Sequence, residues 1–148
     1  MTIRQIKITD YDAVLSLWRR TPGVGLNDID DSRDGLSRYL ERNPRTCFVA
    51  KGQGQNGIAG VIMSGHDGRR GFIYHTCVDE AYRGNKIGTR LVEAALGALS
   101  AEGISKTALV VFGSNELGNA FWESVGFTPR TDLVYRNKAL THMTGIDT

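Results

Sequence analysis

The residues best suited to chemistry gather around one loop. Tyr82-Arg83-Gly84-Asn85-Lys86-Ile87-Gly88-Thr89 joins an apolar, strand-like run to an amphipathic helical pattern. At the start of a helix the first backbone N–H groups lack a carbonyl partner, and the peptide dipoles leave a partial positive charge there. Gly84 and Gly88 let a bulky anion come close to the backbone, while Arg83 and Lys86 add positive charge. That combination describes a phosphate cradle. A plain strand-to-helix turn, in which Gly88 only permits close packing, accounts for the same residues. A nucleotide P-loop is excluded, because no terminal Gly-Lys-Ser/Thr follows the glycines. A dinucleotide fingerprint would open a βαβ unit near the start of a parallel sheet, whereas here three antiparallel-looking strands come first.

The elements that must position this loop are legible from periodicity. Ile3, Ile6 and Ile8 alternate like a strand, and Thr9 to Asp12 has the form of a helix N-cap. Val14, Leu17 and Trp18 follow at helical spacing until Thr21-Pro22-Gly23. Val24 to Asp31 is a short acidic connection, and a second helix is predicted over Ser32 to Arg42, closed by Asn43-Pro44. Cys47 to Ala50, Ile58 to Ser64 and Phe72 to Val78 read as three strands. The turn chemistry of Gly52 to Gly57 and Asp67 to Gly71 makes them an antiparallel meander. Ile87, Leu91, Ala95 and Leu99 form one helical stripe, which Gly103 caps. Thr107 to Phe112 is an apolar run suited to a strand buried on both faces. A short helix is predicted from about Asn115 to Val125, capped by Gly126, and Phe127 to Lys138 reads as a hairpin or strand pair. The tail after Leu140 shows no period and is expected to be loose. No repeat or linker interrupts this order, so residues 1–148 are expected to form one α/β domain.

Composition narrows the function classes. The 148 residues are 41% hydrophobic and 23% charged, which fits one ordinary domain with a sizeable core. The net charge of +2, from scattered basic residues, does not call for a nucleic-acid partner. No apolar run approaches bilayer length and the N-terminus has no signal-peptide core, so a cytoplasmic location without membrane contact is expected. Cys47 and Cys77 stand apart in apolar segments and read as small buried hydrophobes. Nucleophilic catalysis by Cys77 is the minor reading, and no Cys/His cluster suggests a metal.

The glycine loop resembles the pyrophosphate-binding motif of the GCN5-related N-acetyltransferase (GNAT) superfamily. That motif is usually Gln/Arg-x-x-Gly-x-Gly/Ala; Arg83, Ile87 and Gly88 match it in register, and Lys86 replaces the middle glycine. Asn115 to Phe127, Asn-Glu-Leu-Gly-Asn-Ala-Phe-Trp-Glu-Ser-Val-Gly-Phe, is similar to that family's Asn-x₆-Tyr-x₃-Gly-Phe stretch. The order of elements agrees from about Ile3 to Lys138. The Asp-Gly-x-Arg-Gly turn before the fourth strand resembles the short bacterial, single-domain branch.

The resemblance implies a mixed, mostly antiparallel central sheet flanked by about four helices. It implies acetyl-CoA as acyl donor, an amine as acceptor and direct attack on the thioester, and it allows a homodimer. The backbone of Cys77 and Val78 would pair with the pantetheine arm, and one of their N–H groups would polarise the thioester carbonyl. Backbone N–H groups across Arg83, Gly84, Asn85, Lys86, Ile87, Gly88 and Thr89 would hold the pyrophosphate. Asn115 would bond the pantetheine arm; as a helix N-cap it needs no ligand. The tyrosine that serves many relatives as acid is Trp122 here, and an indole N–H is too weak an acid to replace it. Trp122 is instead expected to shape the thiol end of the cleft by packing. Tyr74, His75 and Tyr135 are the substitutes for proton transfer, alongside a water chain, and Ala108 to Phe112 offers no glutamate. Alternation along a strand implies that Tyr74 and His75 do not share one cleft. The acidic run Asn27-Asp28-Ile29-Asp30-Asp31 could attract an amine, the arginines of His66 to Gly71 an acidic acceptor, or both could be solvated loops. A non-catalytic acyl-CoA-binding module is the alternative function.

Overall fold

The computed structural model describes residues 1–54 and 57–146. Five strands form the main sheet in the order β1-β3-β4-β5-β6. These are β1 (Thr2–Gln5), β3 (Phe48–Lys51), β4 (Ile58–His66), β5 (Gly71–Val78) and β6 (Thr107–Leu109). All neighbours are antiparallel except β5 and β6, which run parallel. The meander expected across β3, β4 and β5 is therefore present. The tip of its first turn, at positions 55 and 56, lies outside the described residues.

Helices cover both faces. Helix α1 (Tyr11–Arg19) and α2 (Arg33–Arg42) lie on one face, where Val14, Leu17, Trp18 and Leu36 pack with Val49, Val61, Met63 and Cys77. Helix α3 (Ile87–Ala101) covers the other, where Ile87, Leu91, Val92 and Ala95 pack with Ala50, Ile62 and Ile73. The opposite destinations of Val61 and Ile62 follow from the two-residue period of a strand. Helix α4 (Glu116–Ser124) lies at the end of this second layer and contributes only partly buried side chains such as Phe121 and Trp122.

Three expectations are corrected. The first helix is not capped at Thr9: Ile8–Asp10 forms a 3-10 turn, and the Asp10 carboxylate accepts from Lys7 N at 2.8 Å and pairs with Arg4 at 2.7 Å. The apolar run from Thr107 is a strand only to Leu109, and Val110 and Phe112 are more than half exposed. Phe127 to Lys138 contains no strand; its backbone is irregular, and beyond Phe127 the side chains of Leu133 and Val134 face solvent. The chain stays irregular to Thr144, after which β7 (Gly145–Ile146) pairs antiparallel with β2 (Leu26–Asn27).

Candidate active site

The pairing of β5 with β6 stops at Ile73–Leu109. Beyond that point the strands diverge and open a cleft of about 1050 Å³ lined by β5, the chain after β6, the start of α3 and one face of α4 from Leu117 to Trp122. A departure from regular pairing marks the same place. Val61 pairs with Cys77 but Met63 with Tyr74, so two steps on β4 match three on β5. The extra residue is a β-bulge, which bends a strand and increases its local twist. His75 lies within it at φ 21°, a sparsely populated backbone region for a non-glycine residue.

The bulge overturns the expected alternation. Tyr74 and His75 both line the cleft, with their rings 6.3 Å apart. His75 Nε2 lies 2.7 Å from Asp31 Oδ1, and its ring meets the Trp18 ring edge-on at 5.0 Å. Tyr74 is half exposed, and its ring packs against Phe72 and Tyr39. Partial burial, reinforced by Tyr135 and Asp30, pushes the Tyr74 hydroxyl above its ordinary pKa, so it remains protonated near neutrality. Tyr135 also lines the cleft, from the irregular C-terminal segment.

At the other end, a 3-10 turn (Glu80–Tyr82) leads into the glycine loop. Lys86 immediately precedes α3 with φ 59° and ψ 23°, the left-handed conformation that glycine adopts freely. The lysine thus holds a conformation that glycine would adopt without strain. The first helical bond recorded beyond it runs from Arg90 N to Lys86 O, so the N–H groups of Ile87, Gly88 and Thr89 precede the ladder. Cys77, Val78, Arg83, Gly84, Lys86, Ile87, Gly88 and Thr89 all line the cleft. Asn85 does not; its side chain turns back to donate to Tyr82 O at 2.9 Å. A Cβ on Gly88 would stand 3.1 Å from the Phe121 ring, so α3 and α4 meet at this residue.

Asn115 is the cap of α4 and stands at the cleft. Its Oδ1 accepts from Gly118 N at 2.9 Å as the cap of α4, while the residue also lines the cleft, leaving Nδ2 as an available donor. Trp122 lines the cleft too, held between Phe121 and Phe127 at ring distances of 5.1 and 5.2 Å. Burial pushes the Cys77 thiol up to about 12, which suits a packed side chain and not a thiolate nucleophile. No group of three or more metal-ligating side chains is found among the described residues, and no described helix is long and apolar enough to cross a membrane.

The acidic run before α2 is mostly engaged within the fold. Asp31 is buried and meets His75, Asp30 accepts from Asn27 Nδ2 at 3.1 Å, and Asp28 accepts from Thr144 N at 2.7 Å. Gly35, in the first turn of α2, lies under this run: a Cβ there would come within 2.3 Å of Asp30 O and 2.4 Å of Ile29 O. Sequence reasoning missed Asp31 as a partner of His75. The aspartate was visible, but nothing in the pattern announced the bulge that turns His75 toward it.

The description "Acetyltransferase (GNAT) family" matches residues 11–127. The chain belongs to that family. A curated acetyltransferase of Sodalis glossinidius is 30% identical over 140 residues, covering 95% of this chain and 96% of its own. Among solved structures, Ard1 of Thermoplasma volcanium superposes with a TM-score of 0.73 at 20% identity, over 86% of this chain and 82% of its own. A protein of Clostridium acetobutylicum described as a predicted acetyltransferase, solved with acetyl-CoA, gives a TM-score of 0.65 at 19% identity, over 92% of this chain and 95% of its own. At such identities the structural likeness establishes the fold, and this GNAT chain has the mixed sheet and four helices of that fold.

Proposed function

We propose that the chain acts as one catalytic domain that moves an acetyl group from acetyl-CoA directly to an amine. The observation that carries this reading is the continuity of the cleft. One opening runs from unpaired helix N–H groups at Ile87 to Thr89 to the His75 and Tyr74 side chains. The residues present fit the donor: a helix terminus suits a pyrophosphate, and a strand edge freed beyond Ile73 suits an amide-bearing arm.

The donor supplies an activated acyl carbon, and the protein supplies the rest. Arg83, Lys86 and the backbone from Gly84 to Thr89 hold the anionic end, with Asn85 stiffening the loop from behind. The backbone of Cys77 and Val78 aligns the arm and offers an N–H to the carbonyl oxygen, where charge develops. Asn115 donates through Nδ2. His75 takes the proton of the attacking ammonium, and the hydroxyl of Tyr74 or Tyr135 gives one to the departing sulfur. Trp122 shapes the sulfur end by packing. The high pKa of the Cys77 thiol supports direct attack over a covalent acyl-enzyme.

The test is calorimetric titration with acetyl-CoA, followed by measurement of thiol release with a panel of small, peptidyl and protein amines. Binding together with transfer to at least one amine is expected. Binding without transfer to any amine replaces this reading with the acyl-CoA-binding module, and absence of binding overturns both.

A further inference from the structure

Asp31 is the only buried carboxylate among the described residues. Its two oxygens have different partners: Oδ2 accepts from Asn27 N at 2.8 Å, and Oδ1 faces His75 Nε2 at 2.7 Å. Its backbone is fixed as well, because the Tyr11 hydroxyl donates to Asp31 O at 2.6 Å. An ionised carboxylate only accepts hydrogen bonds, so a neutral His75 bonded to it carries its proton on Nε2. Nδ1 is then the nitrogen with the lone pair, and it has no hydrogen-bond partner among the described residues. The Trp18 ring meets the imidazole at 76° and restricts its rotation. The titratable groups facing His75 are Asp31, from the loop before α2, and Tyr74, from β5 itself. Helix α1 presents only the non-titrating indole.

We propose that Asp31 is a positioning residue, which holds His75 as the Nε2-protonated tautomer so that Nδ1 meets the acceptor's ammonium. The inference rests on the reading of His75 as base given above. In the step, Nδ1 takes one proton from the ammonium and the ring becomes an imidazolium still bonded to Asp31 through Nε2–H. The freed nitrogen pair forms the C–N bond, the C–S bond breaks, the sulfur takes its proton from a tyrosine hydroxyl, and the second proton that the nitrogen sheds on becoming an amide restores that hydroxyl. His75 then returns its proton to solvent. A buried acid assigned to this task does not recruit the amine by charge, which removes Asp31 from the acidic run as an acceptor-binding group.

Long-range ¹H–¹⁵N NMR of the imidazoles in the full chain reads the tautomer directly, with His66→Gln, His75→Gln and His142→Gln assigning the three rings. Neutral His75 is expected to carry its proton on Nε2 in the parent and to lose that preference in Asp31→Asn, checked for folding by circular dichroism. In turnover assays with an acceptor found by the panel, Asp31→Asn is expected to lower kcat about 10²–10³-fold. Its Kd for acetyl-CoA should stay within about twofold of the parent's, and adding Asp31→Asn to His75→Gln should cost nothing further. Asp31→Glu, which keeps the carboxylate, should recover part of the rate. A parent ring protonated on Nδ1, or additive losses in the double variant, overturns the proposal. If the parent acetylates no amine, the proposed activity fails, and the tautomer measurement still decides whether Asp31 sets the ring.

Discussion

The two walls of the cleft are built by different physics. On the β5 wall, Cys77 and Ile73 are buried, Asp31 and Trp18 fix His75, and helices cover both faces of the sheet. On the opposite wall, Val110, Phe112 and Leu117 are 56%, 58% and 81% exposed, and α4 buries no residue fully. The proposed base needs to be held within a fraction of an ångström, and the first wall holds His75 in that way. The second presents apolar surface and a capped helix end, which a long ligand with a flexible arm can cover.

The largest effect that should break this contrast comes at the junction of the walls. Gly88→Glu sets a carboxylate at the start of α3 and presses on the Phe121 ring 3.1 Å from its Cβ. Calorimetry should show acetyl-CoA affinity reduced about 100-fold or more, the scale of several kcal/mol for opposed like charges. Unchanged affinity in a folded variant would remove the loop from the binding site. Next comes packing. Ile62→Ala on β4 should cost about 2–4 kcal/mol in denaturant unfolding, because the site is fully buried. Leu117→Ala on the exposed wall should fall within about 0.5 kcal/mol of the parent. Equal losses at both positions would mean that the exposed wall is packed in solution.

How far such contrasts could be read from residues alone depended on range. The glycine loop, the α3 stripe and the Asn115 cap were legible because each is a local pattern of spacing and terminal chemistry. The Asp31–His75 contact was not, since its partners lie 44 positions apart and meet through a bulge with no sequence signature. The run from Thr107 misled for another reason: an apolar strand pattern states what a segment could bury, and here its end lines an open cleft. The strand pair expected from Phe127 met the same fate, because alternation does not supply an edge to pair with.

Two smaller predictions concern the start of α3 and the sheet edge farthest from the cleft. Lys86→Gly should raise stability by about 1 kcal/mol at most, by relieving the left-handed lysine, as read from unfolding midpoints. A loss would show that the lysine side chain contributes more than the strain costs. The Arg4–Asp10 pair should give a pH signature of about 1 kcal/mol. Burial raises the Asp10 pKa, but hydrogen bonds from Arg4 and Lys7 N outweigh it, so the group sits below its ordinary carboxylate value. Its contribution is therefore present above the unfolded-state pKa and is lost as pH falls through the folded one. Asp10→Asn should be less stable than the parent near pH 7, and the gap should close in acid; a gap that persists there would assign the effect to packing.

The clasp between β2 and β7 bears on when the site can be completed. Thr144 and Asp28 exchange hydrogen bonds across 116 positions, right beside the loop that carries Asp31. On the ribosome, β2 and the loop emerge early, whereas the strand that pairs with them emerges after β5, α3 and α4. Helix α1 and the meander can pack while the chain is still growing, but the closing of this loop must wait for residues 144–146. A nascent chain stalled before Thr144 should therefore have most of its core and an imidazole whose supporting loop is not yet tied down.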